Sequence, residues 1–207
     1  MHDGARGADG KETVVQAPDY LAEPLGRFLD ELAARAPAPS GGAAAAIGVG
    51  LAAALTAMVG RASTERLTEA AKLVHRADEL RLRAGSLAGE DAAAYRKVLD
   101  ALAAPAGPDP EARRRRVDDA LSGAADVPLA IAQVGAEVGD MAARLVDEGD
   151  PKLRGDALTA VWLAAAGAAA AAELVLINLR DRDPGDDRLR SARRARTQAR
   201  RRAATVG

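Results

Sequence analysis

Residues 42–60 read GAAAAIGVGLAAALTAMVG, and residues 157–172 read ALTAVWLAAAGAAAAA. Neither run carries a charge, and both are dominated by alanine, the strongest helix former and a weak strand former. Hydrophobic residues make up 48% of the chain but aromatics only 2%. A sheet protein would need Val, Ile, Tyr and Phe in alternation, so the chain is read as all-α. A helix that is apolar all round is normally buried. The two runs are therefore predicted to be the central helices of a bundle of about six or seven, packed closely through their small side chains.

Working outward, residues 1–17 are rich in Gly and charge without periodicity and read as a disordered tail. A single domain is expected over 18–203. Leu21, Leu25, Phe28, Leu29 and Leu32 share one face of a predicted helix from Asp19 to Ala36, which Pro37 and Pro39 end. Helices are expected over 42–63, 64–103, 110–125, 127–147 with a kink at Pro128, 156–182 and 187–203. The uncharged stretch from Ala36 to Gly60 is long enough to span a bilayer. Its prolines, glycines and alanines keep its hydrophobicity low, so a buried soluble helix is the preferred reading.

Composition narrows the chemistry. There are 29 basic and 30 acidic residues, a net charge of -1, so no global bias points to nucleic acid or an anionic membrane. The absence of cysteine removes disulfides, thiolate metal sites and a Cys nucleophile. With only His2 and His75, no metal site is expected. No apolar run opens the chain, so a cytoplasmic protein is the default expectation. Arg188 to Gly207 carries eight arginines and no aromatic for base stacking. That segment is read as pairing with the chain's own carboxylates, and nucleic-acid contact as the weaker alternative.

Four places can carry chemistry. Asp91 lies four residues after Leu87, four before Tyr95 and seven before Val98, inside an apolar stripe. A carboxylate there must be paired, hydrogen-bonded or raised in pKa, and a raised carboxyl in a cleft can serve as a general acid or base. Asp156 stands before the second alanine-rich run, either as a helix N-cap or as a carboxylate offered to a ligand. Asn178 ends the apolar run 174–177 and can bond a ligand or cap its own turn. Ser40-Gly41-Gly42 precedes the first run, where bare N–H groups can hold an anion or simply begin a helix.

Taken in order, Pro-Ala-Pro-Ser-Gly-Gly ending at Gly42, Glu90-Asp91-Ala92-Ala93-Ala94-Tyr95, Val127-Pro128-Leu129, Gly155-Asp156 and Ile177-Asn178-Leu179-Arg180-Asp181 form a series. It resembles the formiminotetrahydrofolate cyclodeaminase / methenyltetrahydrofolate cyclohydrolase family over residues 19–203. The resemblance implies an all-helical fold, usually a homodimer, acting on the one-carbon unit of a tetrahydrofolate derivative. The reaction is either release of ammonia from 5-formiminotetrahydrofolate with closure to 5,10-methenyltetrahydrofolate, or hydrolysis of that methenyl bridge. No cofactor beyond the tetrahydrofolate substrate is implied. Asp156 and Asp91 become the candidate catalytic groups, and Ser40, Gly41, Gly42 and Asn178 candidate substrate-binding groups. Where the family often has a Gly-Lys-Lys-Tyr-like cluster, this chain has Arg61-Ala62-Ser63-Thr64-Glu65-Arg66, and Arg61 is the binding cation suggested there. Gly89 stands where an Asp is frequent, Gly155 where a Ser precedes the second Asp, and Ser40 and Ala43 flank the glycine pair. The alternative reading is a helical dimeric module that binds a folate or a protein without turnover.

Overall fold

The structure is a computed structural model that describes residues 17–105, 109–180 and 184–206. Apart from Ala17 the expected tail lies outside these residues, as do Gly107, Pro108, Asp181 and Arg182. Among the described residues the order is α1 (Leu25–Ala33), α2 (Gly41–Ala62), α3 (Ala70–Ala103), α4 (Pro110–Gly123), α5 (Asp126–Glu148), a 3-10 turn (Pro151–Leu153), α6 (Arg154–Asn178) and α7 (Asp187–Thr205), with no strand. The all-α reading and the two central alanine-rich helices hold.

The ends of the helices follow local chemistry. Asp109 caps α4, its carboxylate accepting from the Glu111 N–H at 2.9 Å, with Pro110 in the first position. Asp186 caps α7 in the same way through the Arg188 N–H. The expected kink at Pro128 is absent. The expected separation of the two helices falls at Ala124–Ala125, and Pro128 sits in the first turn of α5, where its missing N–H is no loss. Helix α1 begins six residues later than expected, because Asp19 folds a turn onto Leu21 and Ala22 first. Helix α3 begins at Ala70 rather than Thr64, because Ser63 turns the chain there.

Helices α2 and α6 run antiparallel at the centre. Val59 near the end of α2 clusters with Ala157, Ala160 and Val161 at the start of α6, while Ala43 and Ala46 share a cluster with Ala171, Ala172 and Val175. Helix α3 flanks α2, α7 flanks α6, and α5 lies behind the pair. The approach is set by glycine: a Cβ on Gly167 would lie 2.6 Å from Val49 Cγ2 and 3.1 Å from the Ala45 carbonyl. Gly135 of α5 meets the same place, 3.0 Å from Ala168 Cβ and 3.1 Å from Val49 Cγ2. Three backbones thus converge on Val49 with no room for another methyl.

One expectation is corrected. The alanine-rich helices are not buried all round. Both are long and apolar enough to cross a membrane by length and composition, yet only about half of each is covered, with 56% of the apolar window buried in α2 and 50% in α6. Leu51, Met58 and Trp162 stay exposed on the side away from α5. The arginine-rich α7 meets expectation: Arg188 pairs with Asp126 and Asp186, Arg196 with Glu173 and Arg202 with Asp140.

Replacing Gly167 with Leu forces side chain into this contact and should cost about 2 kcal/mol or more, on the usual scale for overpacking. Gly26→Ala, where a Cβ meets nothing within 4 Å, should stay within about 0.5 kcal/mol. Urea unfolding of the two variants beside the parent measures both.

Candidate functional site

The N-terminus of α2 points its free N–H groups at α3, and Asp91 receives them. The Asp91 carboxyl accepts hydrogen bonds from the Ala43 N–H and from the Ser40 hydroxyl. Ser40 occupies the cap position of α2 but makes no capping bond within its own helix. Its hydroxyl is turned to Asp91, which caps α2 from across the bundle. Gly42 makes this possible, because a Cβ there would overlap both carboxylate oxygens of Asp91. The glycine pair is thus a seat for a side chain of the same protein.

Asp91 is buried, with 7% of its surface exposed. Burial raises its pKa above the ordinary carboxylate value, and the bonds from Ala43 and Ser40 oppose that rise without cancelling it. Among the described residues no arginine pairs with it, in contrast to the surface carboxylates. A carboxyl whose pKa is raised by burial and which opens to a cleft is suited to give and take a proton.

That cleft is an indentation of about 300 Å³. Ser40, Gly41, Gly42 and Asp91 form one end. Tyr95 and Val98, one and two turns further along α3, form a wall. Asn178 and Ile177 close it from the end of α6, and Leu121, Ala124 and Pro128 from the α4–α5 junction. Asn178 donates through Nδ2 to the Ala124 carbonyl at 3.1 Å. It fixes the junction against α6 and leaves its side-chain carbonyl as an acceptor. The walls are otherwise apolar, and Tyr95 and Ile177 are partly exposed at the rim.

Five of the seven site residues expected from sequence therefore come together: Ser40, Gly41, Gly42, Asp91 and Asn178. Asp156 and Arg61 do not join them. Helix α6 begins at Arg154, so Asp156 is in its first turn and is not its N-cap. Arg61 is in the last turn of α2 and pairs with Asp78. Because α2 and α6 are antiparallel, both residues sit at the far end of the bundle, about 30 Å from Asp91 at 1.5 Å per helical residue. Within the chain the Gly155-Asp156 entrance and the glycine loop therefore stand at opposite ends of the bundle. The wall from Leu121, Ala124 and Pro128 carried no spacing signal, since these residues meet the cleft only through the break between α4 and α5. Position 89 also has a physical reason to lack a carboxylate: a Cβ on Gly89 would collide with the Pro18 carbonyl oxygen, so the N-terminal segment occupies that space.

A profile of the formiminotransferase-cyclodeaminase family matches residues 24–199. The chain belongs to that family. Among its relatives, a methenyltetrahydrofolate cyclohydrolase of Methylorubrum extorquens is 35% identical over 179 residues, covering 81% of this chain and 86% of that protein. The crystal structure of a formiminotetrahydrofolate cyclodeaminase from Thermotoga maritima superposes with a TM-score of 0.80 at 26% identity, covering 90% of this chain and 94% of the other. Family membership accounts for the order of glycine loop, acidic α3 motif and α6 ending that the sequence displays.

The raised pKa of Asp91 makes a prediction about stability. With a folded value above the unfolded one, the native state holds a proton that the unfolded chain gives up. Stability from this group is complete below the ordinary aspartate pKa and is lost as pH climbs through the raised value. Asp91→Asn removes the titration, so the Tm of the variant minus that of the parent should grow more positive between pH 4 and pH 7. A difference independent of pH would contradict the assignment.

Proposed function

We propose that this protein hydrolyses the methenyl bridge of 5,10-methenyltetrahydrofolate, with the cleft at the start of α2 as its active site. The observation that carries the reading is Asp91: a buried carboxyl of raised pKa, held by Ser40 and the Ala43 N–H at the end of an apolar slot. The 35% identical cyclohydrolase supports the hydrolytic direction. The likeness to the cyclodeaminase structure supports a second reading, ammonia release from 5-formiminotetrahydrofolate at the same site.

Both reactions turn on proton transfer. In hydrolysis, water adds to the cationic bridge carbon and loses a proton to the Asp91 carboxylate. The bond from that carbon to one folate nitrogen then breaks as the Asp91 proton passes to the departing nitrogen, and the hydroxyl proton is released to water as the formyl C=O forms. In cyclodeamination, a folate nitrogen attacks the formimino carbon. The attacking nitrogen's own proton and that of protonated Asp91 both pass to the leaving nitrogen, which departs as ammonia and leaves the cationic methenyl bridge. An ionised Asp91 also lies where it can stabilise the positive bridge. A slot of about 300 Å³ with apolar walls suits a flat bicyclic ring lying beside Tyr95. Asn178 and the glycine-loop backbone offer polar contacts at its two ends. In this reading Asp91 is the acid/base group and no cofactor beyond the folate is required. The protein works as a soluble cytoplasmic homodimer, its exposed α2–α6 face covered by a second copy. Asp156, at the N-terminal end of α6, favours that helix electrostatically.

Loss of the methenyl absorbance on incubation with 5,10-methenyltetrahydrofolate, above the uncatalysed rate, tests the main reading. Its appearance from 5-formiminotetrahydrofolate, with ammonia, tests the second. Asp91→Asn should lower kcat by about 100-fold or more, the usual contribution of a positioned acid or base. Asn178→Ala should act mainly by displacing the α4–α5 wall, raising KM. If neither substrate turns over, the enzymatic reading falls.

A further inference from the structure

The Asp91 cleft lacks something its proposed ligand requires. A folate ends in carboxylates, and these call for a cation or several N–H donors. Among the described residues no Lys, Arg or His lines the cleft. A slot of about 300 Å³ holds the fused rings and little more. The benzoyl ring and the glutamate therefore leave it, and their exit must offer an apolar surface first and a positive charge after.

Helix α3 supplies one side of such a path. Tyr95, Val98 and Leu102 follow Asp91 at four, seven and eleven residues, a single stripe along the helix. Val98 is buried, but Tyr95 and Leu102 stay 39% and 47% exposed. The stripe thus continues past the cleft with apolar side chains uncovered.

Helix α4 supplies the other side. Leu121, near its end, lines the cleft together with Ala94 of α3. Arg113, near its start, donates through Nη2 to the Leu102 carbonyl at 3.1 Å. The two helices are therefore antiparallel, and pairing 121 with 94 and 113 with 102 sets Val117 at the level of Val98 and Arg114 at the level of Leu102. Helix α4 buries none of its own residues, and Val117 and Leu121 are only half-buried. Between the two helices runs an open groove, floored by Leu102, Val117 and Leu121, that begins at the cleft.

Four arginines stand in a row on α4, from Arg113 to Arg116, and helical geometry tells them apart. Leu121 marks the side of α4 that meets the cleft. Arg114 precedes it by seven residues, so it lies within about 20° of that direction and about 10 Å along the axis. Arg115 and Arg116 are turned away by about 120° and 140°. Arg113 is engaged by the Leu102 carbonyl, and Arg115 by Asp109 and Glu111. Arg114 makes a long pair with Asp118, 3.9 Å, and its side chain is 81% exposed. A guanidinium has five N–H donors, so this contact leaves most of them for a ligand.

We propose that the arylglutamate end of the folate lies in the α3–α4 groove, its benzoyl ring against Leu102 and Val117 and its carboxylates on Arg114. The inference rests on the folate reading for the identity of the ligand, and on α3 and α4 alone for the groove. The reach agrees: Leu121 to Arg114 is about 10 Å of helix axis, and a p-aminobenzoyl unit with its amide spans about the same at ordinary bond lengths. Continuity decides the occupant. The groove opens from the cleft and ends on a cation, so what fills it is joined to what fills the cleft and carries the opposite charge.

Titration calorimetry with 5-formyltetrahydrofolate tests this beside 5-formyl-6-methyltetrahydropterin, which has no arylglutamate. Arg114→Ala should weaken the folate by about tenfold, the loss of one charge-assisted contact, and leave the pterin unaffected. Arg114→Lys should recover part of the loss. Arg116→Ala, on the far side of the same helix, should bind the folate as the parent does. Leu102→Asp, which sets a like charge in the groove, should weaken the folate at least as much and again spare the pterin. In turnover of 5,10-methenyltetrahydrofolate the Arg114→Ala loss should fall on KM, with kcat within about twofold of the parent. Saturation-transfer NMR with p-aminobenzoylglutamate probes the groove without the fused rings, and its signal should vanish in Arg114→Ala. If a folate binds or reacts and Arg114→Ala changes neither affinity nor KM, the groove proposal falls and the folate reading stands. If no folate binds or reacts while p-aminobenzoylglutamate binds through Arg114, the folate reading falls and the groove stands as an aryl-carboxylate site. Equal weakening of folate and pterin would overturn the proposal by making Arg114 a support of α4, and silence from every probe would overturn both.

Discussion

The contact on which the rest depends is that between the Asp91 carboxyl and the exposed N–H groups at the start of α2. It satisfies two demands at once. A helix N-terminus inside a bundle needs acceptors, and a carboxyl on an apolar stripe needs donors. Each is the other's remedy, and the meeting fixes α2 against α3 in both translation and rotation. Because α2 is also the element against which α5 and α6 are aligned, the position of Asp91 reaches the far side of the cleft. The chemistry and the architecture therefore share a residue, and Gly42 is what lets them do so.

The core obtains its stability from nearness. With aromatics at 2% of the chain, there are few large side chains to fill space between helices. The backbones close the distance instead, and dispersion between methyl groups and neighbouring main chain replaces interdigitated rings. Val49, touched from α5 and α6 through Gly135 and Gly167, shows the limit of the approach. Such packing covers less area per residue than leucine would, which makes the bare side of α2 and α6 the more conspicuous.

Much of this was legible beforehand, for reasons particular to the residues. Uncharged alanine runs with helix-breaking residues on either side leave few alternatives, so the central helices emerged with nearly correct bounds. Asp91 was identifiable because Leu87, Tyr95 and Val98 mark its stripe by spacing alone. What the pattern could not convey is direction. A run apolar on every side reads as wholly buried whether the last neighbour belongs to the same chain or not. Nor could order along the chain say that Gly41 and Asp156, each at the start of an alanine-rich helix, stand at opposite ends; that follows from the antiparallel course of α2 and α6. The cleft wall at Leu121 and Pro128 depends on which way the chain turns at the break expected between 125 and 127, and spacing does not give that direction.

The alanine lining has a consequence for how this protein can vary over generations. Single-base changes in an alanine codon lead to Val, Thr, Ser, Pro, Gly, Asp or Glu. In helices packed to the separation seen at Gly167, most of these are too large, too polar or unable to remain helical. Drift in the core is thereby restricted to a narrow set of small residues, while the loops and the rim of the cleft stay free to change. A chain built in this way accepts new polar groups around its scaffold far more readily than inside it.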